Sequence, residues 1–167
     1  MLTGAAGHTY GANGIWQLNR RDRPYGASPH GSAWGGPPWD DAYRLPGSGQ
    51  IGLAKRLLER YEWWRFETHH EWIEPCQTRE NRVGPYAAGI PGKVRVIYSP
   101  AASIWAAWSG KMLVKGLEPG QQYRAFFFDP KTGVEHDLGI VSGDAEGNYK
   151  VPKPPVFQDY AIVLEAV

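Results

Sequence analysis

The stretch Lys93-Val94-Arg95-Val96-Ile97-Tyr98 decides the fold class of the larger half of this chain, because a regular alternation of side chains begins there. Val94, Val96 and Tyr98 occupy every second position and therefore share one face of a predicted strand. Turn sequences then recur about every ten residues, a spacing typical of β-sandwiches. Further strands are predicted at Lys111 to Lys115, Tyr123 to Phe128, Val134 to Leu138, Asn148 to Val151 and Tyr160 to Ala166. We therefore predict that residues 70–167 form an all-β sandwich domain that buries its own core.

One helix is predicted in the preceding half of the chain, from Ser48 to Arg60. Its apolar residues recur at helical spacing, and its charged residues take the opposite side. Pro46-Gly47 interrupts the chain ahead of it, and the Ser48 hydroxyl is predicted to cap the first free amides. The apolar face consists of Ile51, Ala54, Leu58 and Tyr61, widened by Leu53 and Leu57.

Residues 1–66 as a whole have the order strand, long loop, helix. Met1 to Ala6 is short and rich in small residues, which suits a buried parallel strand. Gly11 to Leu45 has no clear periodicity, and loops of that length within a compact domain are commonly functional. A single βα unit leaves the edge groups of its own strand unpaired. We therefore expect this unit to be incomplete, with the rest of a larger protein or self-association covering its surface.

Composition excludes several classes of function. A net charge of +1 over 167 residues gives no electrostatic argument for nucleic acid. No apolar run is long enough to span a membrane, and Met1 to Gly4 lacks the pattern of a signal peptide. The single cysteine, Cys76, has no partner for a disulfide or a metal pair. Adjacent His69 and His70 point in different directions on a helix or a strand, so we predict no metal site and no cofactor.

Aromatic residues are the informative excess, since six of the eight tryptophans lie within the first 72 residues. Indole rings on loops shaped by Gly and Pro commonly line carbohydrate sites, where a sugar face packs on the ring and its hydroxyls bond to polar groups. The alternative for any single tryptophan is ordinary packing.

A resemblance to a known family is carried by two groups of residues. Residues 4–11 (Gly-Ala-Ala-Gly-His-Thr-Tyr-Gly), Ile15-Trp16-Gln17, Leu45-Pro46-Gly47 and Trp63-Trp64-Arg65-Phe66 resemble the C-terminal end of an apiosidase-like glycoside hydrolase barrel. Gly116-Leu117-Glu118-Pro119-Gly120 and Asp129-Pro130-Lys131-Thr132-Gly133 resemble the domain that follows such barrels, which is named for collagen binding. The first group is fairly specific, whereas many β-sandwiches use the turns of the second.

The resemblance implies a mixed fold, in which residues 1–66 are the terminal βα unit of a (β/α)8 barrel and residues 70–167 the β-sandwich. The site of such a barrel lies at the C-terminal ends of its strands. The substrate-binding residues implied are His8, Tyr10, Trp16 and Trp34. The implied partner is carbohydrate, a plant-type polysaccharide or oligosaccharide, and the implied parent enzyme is secreted or periplasmic.

Catalysis is not predicted for this chain by itself. Glycoside hydrolysis usually needs two carboxyl groups across the scissile bond, and no acidic residue follows the one predicted strand end. Asp40-Asp41 is the nearest approach to a pair, but neighbours in sequence seldom converge on one bond. Three interpretations stay open: the C-terminal fragment of a hydrolase, inactive alone; a glycan- or collagen-binding module; or a sandwich that only stiffens the barrel through the aromatic residues at 63–72.

Overall fold

The computed structural model describes residues 2–26 and 36–167, a mixed fold that consists mostly of two antiparallel β-sheets. The chain divides into two compact units. We call Gly7–Arg56 the loop unit, and Met1–Ala6 together with Leu57–Val167 the sheet unit.

The elements of the described residues are short helices and strands. The helices are α1 (Trp39–Ala42), α2 (Pro46–Leu58) and α3 (Ala101–Trp108), with 3₁₀ turns at Trp63–Arg65 and His70–Trp72. The strands are β1 (Glu67–Thr68), β2 (Ile73–Glu74), β3 (Tyr86–Ile90), β4 (Val94–Ser99), β5 (Leu113–Val114), β6 (Tyr123–Phe128), β7 (Glu135–Val141), β8 (Tyr149–Lys150) and β9 (Tyr160–Ala166).

The two sheets share one hydrophobic core. Six strands form one sheet in the order β1-β3-β4-β9-β6-β7, and three form the other in the order β2-β5-β8. Every strand pairing is antiparallel. Both sheets and α3 contribute side chains to a single buried cluster, among them Ile97, Phe127, Ile162, Ile73, Val114, Ile104 and Ala107. The prediction that this half of the chain consists mostly of antiparallel β-structure is therefore confirmed, although the helix α3 also belongs to it.

The strand predictions were accurate for the long strands of the larger sheet. β6 and β9 occupy their predicted ranges, and β4 extends one residue further, to Ser99. β7 begins one residue later than predicted and runs on to Val141. β5 and β8 are shorter than predicted, with two residues each. β3 and α3 were not predicted.

Arg95 is the central polar group of the core, with only 1% of its surface exposed. One of its terminal nitrogens donates to the carbonyl of Lys115, at 2.7 Å. The other donates to the carbonyl of Gly116 and to the carboxylate of Glu118. The guanidinium also lies over the indole of Trp72, 4.2 Å from the ring centroid. Arg95 thereby joins β4 of the larger sheet to the turn that follows β5 of the smaller one.

Glu118 collects the donors around this turn. Its carboxylate accepts the backbone N–H of Gly92, at 2.8 Å, and the hydroxyl of Tyr123, in addition to Arg95. Partial burial raises the pKa of Glu118, but the hydrogen bonds and the Arg95 charge outweigh burial and hold that pKa below its ordinary value. The Gly-Leu-Glu-Pro-Gly turn is thus built around a carboxylate that stays ionised.

The opposite face of the larger sheet carries a second charged network. Arg124 binds the carboxylates of Glu135 and Glu165, at 2.9 and 2.8 Å. Arg60 also binds Glu135, and the Tyr61 hydroxyl donates to Glu165 at 2.7 Å. The segment that follows α2 is therefore fixed to this face by charge-assisted hydrogen bonds.

The predicted strand at Met1 to Ala6 is wrong over its described part. Leu2 to Ala6 forms turns and bends, and Gly4 has a positive φ of 88°. A parallel strand needs neighbours for its hydrogen-bond ladder, and no strand pairs with Leu2 to Ala6 in the described part of the chain. Instead, the Thr68 hydroxyl donates to the carbonyl of Leu2, at 3.2 Å.

The predicted helix is present, but its start differs. α2 begins at Pro46, because proline suits the first turn, where its missing N–H costs nothing. Ser48 is therefore inside the helix, and its hydroxyl donates to the carbonyl of Leu45, at 2.9 Å, instead of capping free amides. Leu58 of the predicted apolar face is buried, while Ile51 is 37% exposed.

Replacing Glu118 by Gln should cost about 1.5 to 3 kcal/mol of unfolding free energy at pH 7, because the buried guanidinium of Arg95 loses its counter-charge. Since folding lowers the Glu118 pKa below 4.5, the contribution of Glu118 is complete above that value. It is lost as the pH falls through the folded-state pKa. Urea unfolding of Glu118→Gln and the parent should therefore converge under acidic conditions. The exposed Glu146→Gln is the control, and an equal loss there or a pH-independent difference would contradict the prediction.

Candidate functional site

Asn19 organises the loop unit from its interior, with 5% of its surface exposed. Its side-chain amide donates to the carbonyls of Gly36 and Pro37, at 2.8 and 3.2 Å. Its side-chain oxygen accepts the backbone N–H of Tyr25, at 2.8 Å, and its backbone carbonyl accepts that of Trp39. One buried amide therefore ties residues 19–25 to residues 36–39. The sequence gave no signal for this role, because the partners of Asn19 are up to twenty positions away.

The acidic residues of the loop unit are held in ion pairs. Arg21 binds Asp40 at 3.1 Å and Asp41 at 2.7 Å. Arg20 binds Asp22 at 2.5 Å, and this hydrogen bond lowers the pKa of Asp22 below its ordinary value. Asp40 and Asp41 are the nearest approach to a catalytic pair in the sequence. They lie in the first turn of α1, and both bind Arg21. This arrangement shapes the loop, and it engages both carboxylates with a cation instead of leaving them directed at a ligand.

Of the four predicted substrate-binding residues, three lie within the described residues. His8 is exposed, and Trp16 is 80% exposed. Tyr10 is half-buried, and its hydroxyl lies beside Gly47, where an added Cβ would be only 3.0 Å away. The structure records no hydrogen bond or ring contact that joins His8, Tyr10 and Trp16 within residues 2–26. Trp34 lies outside the described residues.

Trp16 is placed by the glycine ahead of it. The indole lies so close to the backbone of Gly11 that a Cβ there would be 1.7 Å from the indole nitrogen. Gly11, the second glycine of the run Gly-His-Thr-Tyr-Gly, therefore leaves space for the Trp16 ring, which is otherwise open to solvent. An exposed indole that packs against the backbone on one side is suited to stacking against a ligand.

Further exposed aromatic side chains belong to α1 and its end. Trp39 and Tyr43 are 44% and 46% exposed, and their rings stack with centroids 6.3 Å apart. The Arg44 guanidinium lies 5.1 Å from the Tyr43 ring centroid and donates to the Tyr43 hydroxyl at 2.8 Å. Sequence analysis did not select this pair, although its i, i+4 spacing was a usable signal.

Two other kinds of site were sought among residues 2–26 and 36–167. No group of three or more His, Cys, Asp or Glu side chains there could hold a metal ion. His69 instead stacks on Trp72, with ring centroids 3.8 Å apart. In the same residues, no helix has the length and apolar character needed to cross a membrane.

Comparison with known families identifies the part of the chain that carries these loops. Residues 1–65 match the family model described as "Apiosidase-like, catalytic domain". The resemblance is thus confirmed over this segment, which holds the predicted substrate-binding residues. No curated protein matches the chain.

Solved structures extend the similarity over the β-sheets. A glycoside hydrolase matches 98% of this chain with a TM-score of 0.73 and 21% sequence identity. A family 5 glycoside hydrolase from Bacteroides vulgatus ATCC 8482 also matches 98%, with a TM-score of 0.64 and 18% identity. At these identities the similarity establishes the fold alone. The chain spans about a third of each of these structures, 34% and 33% of their lengths.

Replacing Gly11 by Ala should displace the Trp16 indole, because the added methyl group would occupy the same space. The indole N–H resonance of Trp16, assigned with a Trp16→Phe variant, should shift in a ¹H–¹⁵N spectrum. Gly7→Ala is the matched control, since nothing lies within 4 Å of a Cβ at that position. An unchanged Trp16 resonance in Gly11→Ala, or equal shifts in both variants, would contradict this placement.

Proposed function

We propose that this chain supplies a substrate-binding loop and an accessory β-sandwich to a carbohydrate-active glycoside hydrolase. In this proposal, residues 1–66 are the C-terminal end of a (β/α)8 barrel, contributing its last loop and the helix α2 but no strand, and residues 70–167 are the accessory domain. The observation that carries the proposal is Trp16, an indole 80% exposed within the segment that matches the apiosidase-like family model. A plant-type polysaccharide or oligosaccharide is the proposed ligand.

The proposal assigns binding, and not bond cleavage, to these 167 residues. Retaining and inverting hydrolases both need one carboxylic acid and one carboxylate on opposite sides of the glycosidic bond. Asp40 and Asp41 share Arg21, and Asp22 pairs with Arg20. Because these carboxylates already have cationic partners, we assign the catalytic pair to other parts of the barrel and expect this chain to be inactive alone.

Exposed apolar surface supports the barrel assignment. On α2, Ile51 is 37% exposed and Ala54 is also exposed. In the sheet unit, a cavity of about 340 Å³ is open beside Trp64, which is 68% exposed. Its lining consists of Gly4, Ala5, Ala6, Leu58, Trp63, Trp64 and Phe66. Apolar surface of this kind is typical of protein contacts, and further strands of a barrel are the proposed occupant. Self-association is the competing occupant, and it would give a dimer in sedimentation experiments.

The binding role is tested by titrating the full chain with hexasaccharides prepared from xylan, arabinan, galactan and β-1,4-glucan. Trp16→Ala should weaken the binding of the preferred sugar at least about tenfold, the effect expected of an aromatic binding hot spot. Leu18→Ala is the matched control, because Leu18 belongs to the same loop and is 61% exposed but has no ring. The sugar should also shift the Trp16 indole resonance. Equal losses in both variants, or binding that leaves this resonance unshifted, would exclude a stacking role for Trp16.

The absence of cleavage is tested separately, by measuring the reducing ends released from the same polysaccharides. We expect no release by the 167-residue chain, because the acidic residues of the loop unit, Asp22, Asp40 and Asp41, are paired with arginines. Release that is abolished in Asp40→Asn or Asp41→Asn would overturn this part of the proposal and would make the chain an enzyme by itself.

A further inference from the structure

A second aromatic groove lies in the sheet unit, along one side of α3. Its volume is about 410 Å³, within the range of roughly 300 to 1,000 Å³ that is usual for small-ligand sites. Its lining combines one large aromatic ring with polar side chains from three segments of the chain. Those that matter for recognition are Glu74, Asn81, Ser103, Trp105, Ser109 and Lys111.

Trp105 is the exposed ring of this groove. Its neighbours on α3, Ile104 and Ala107, are 0% and 1% exposed in the core, which directs Trp105 outward with 64% of its surface exposed. Phe157, itself 52% exposed, meets Trp105 edge to face with centroids 6.5 Å apart. Trp105 and Phe157 thus form a contiguous exposed aromatic patch, and such patches commonly mark binding surfaces.

Trp105 belongs to a cluster of aromatic rings. Trp108 contacts the same Phe157 ring, with centroids 5.9 Å apart, and the ammonium group of Lys153 lies 3.8 Å from the Trp108 centroid. Asp159 fixes the start of α3 by accepting the backbone N–H of Ala101, at 2.6 Å. These contacts fix the start of α3 and the neighbours of Phe157, and Phe157 in turn limits where the Trp105 ring can lie.

The polar groups of the groove present both acceptors and a donor. The hydroxyls of Ser103 and Ser109 donate to helix carbonyls at 3.1 Å, which leaves their oxygen lone pairs to accept. The Asn81 amide nitrogen donates to the carbonyl of Cys76, at 3.1 Å, and so orients its side-chain oxygen. Lys111 brings three N–H donors. Hydroxyl groups, which donate and accept at once, match this mixture better than a purely anionic or apolar ligand does.

The carboxylate of Glu74 adds a further acceptor without making the groove strongly acidic. Lys115 binds it at 2.9 Å and balances its charge. With Lys111 as the other charged group of the lining, the groove has no large excess of either sign. Binding of a neutral ligand therefore has little electrostatic cost. Phosphate or nucleic acid would need a cluster of cations, which this lining does not contain.

We propose that this groove is an oligosaccharide-binding site, in which one sugar face stacks on Trp105 and the sugar hydroxyls bond to Asn81, Glu74 and Lys111. Its size fits a few sugar units. A protein partner such as a collagen triple helix would need about 800 Å² on each side for a stable complex. The site is separate from the loop of the proposed function, because all its residues belong to the sheet unit. It would hold a polysaccharide chain while other parts of the protein act on it.

The test uses the full chain with Trp16→Ala as background, so that binding by the loop is removed and the groove is measured alone. The probes are the hexasaccharides from xylan, arabinan, galactan and β-1,4-glucan, together with a triple-helical collagen peptide. We expect at least one sugar to bind in calorimetry and to shift the Trp105 indole resonance. Adding Trp105→Ala should weaken that binding at least about tenfold, whereas Trp105→Tyr should retain part of it.

Trp64→Ala is the matched control, since Trp64 is a similarly exposed indole of the sheet unit that lines a different cavity. It should leave sugar affinity in the Trp16→Ala background unchanged. Three results would overturn the proposal: no sugar binding at millimolar concentrations, equal affinity with and without Trp105, or a Trp105 shift with the collagen peptide alone. None of these three results bears on the proposed function, because binding by the loop is tested separately, with Trp16→Ala in the parent chain.

Discussion

The sheet unit depends on a buried guanidinium. Arg95 lies at the interface of both sheets, with Trp72 against one face and two carbonyls and Glu118 around its nitrogens. A charge in this position is strongly destabilising without its partners, because removing one of them leaves it desolvated and uncompensated. Glu118 in turn needs the turn geometry that brings Gly92 and Tyr123 to the same carboxylate. The strand, the turn and the packing of the two sheets are therefore coupled through Arg95 and Glu118.

Features with a local sequence signal could be predicted, whereas features that depend on distant contacts such as those of Arg95 could not. The long strands of the larger sheet were recognisable because Val, Ile, Tyr and Phe dominate them, and the turns between them have strong signals. β3 was missed because its sequence, Tyr-Ala-Ala-Gly-Ile, has little strand character. Gly89 is required there by close packing, since a Cβ would lie 2.0 Å from the carbonyl oxygen of Val94. The buried partners of Arg95 could not be predicted, because they are twenty or more positions away and converge only in the folded chain.

The candidate sites show the same limit in a different form. The sequence alone does not show whether a tryptophan lies in the core or on the surface. The packing of the elements around it decides which. Trp72 is buried under Arg95, while Trp16 and Trp105 are exposed. For Trp16 a local signal existed, since glycines precede it and the surrounding run resembles a family. For Trp105 there was none, because it belongs to an apolar helix whose orientation is set by the core. The role of Asn19 was equally invisible, although it holds the loop together.

The distribution of charge and aromatic surface distinguishes recognition from cleavage. A carboxyl group that acts as a general acid must keep its proton near neutral pH, which requires burial away from cations. In the described residues, Asp22, Glu118 and Glu135 are placed against arginines, and their pKa values are lowered. Such carboxylates stabilise structure and do not donate protons. Trp16 and Trp105, in contrast, are 80% and 64% exposed, so much of each ring is accessible to a ligand. We therefore assign recognition to Trp16 and Trp105, each within its own unit, because an exposed ring can stack on a sugar face without taking part in proton transfer.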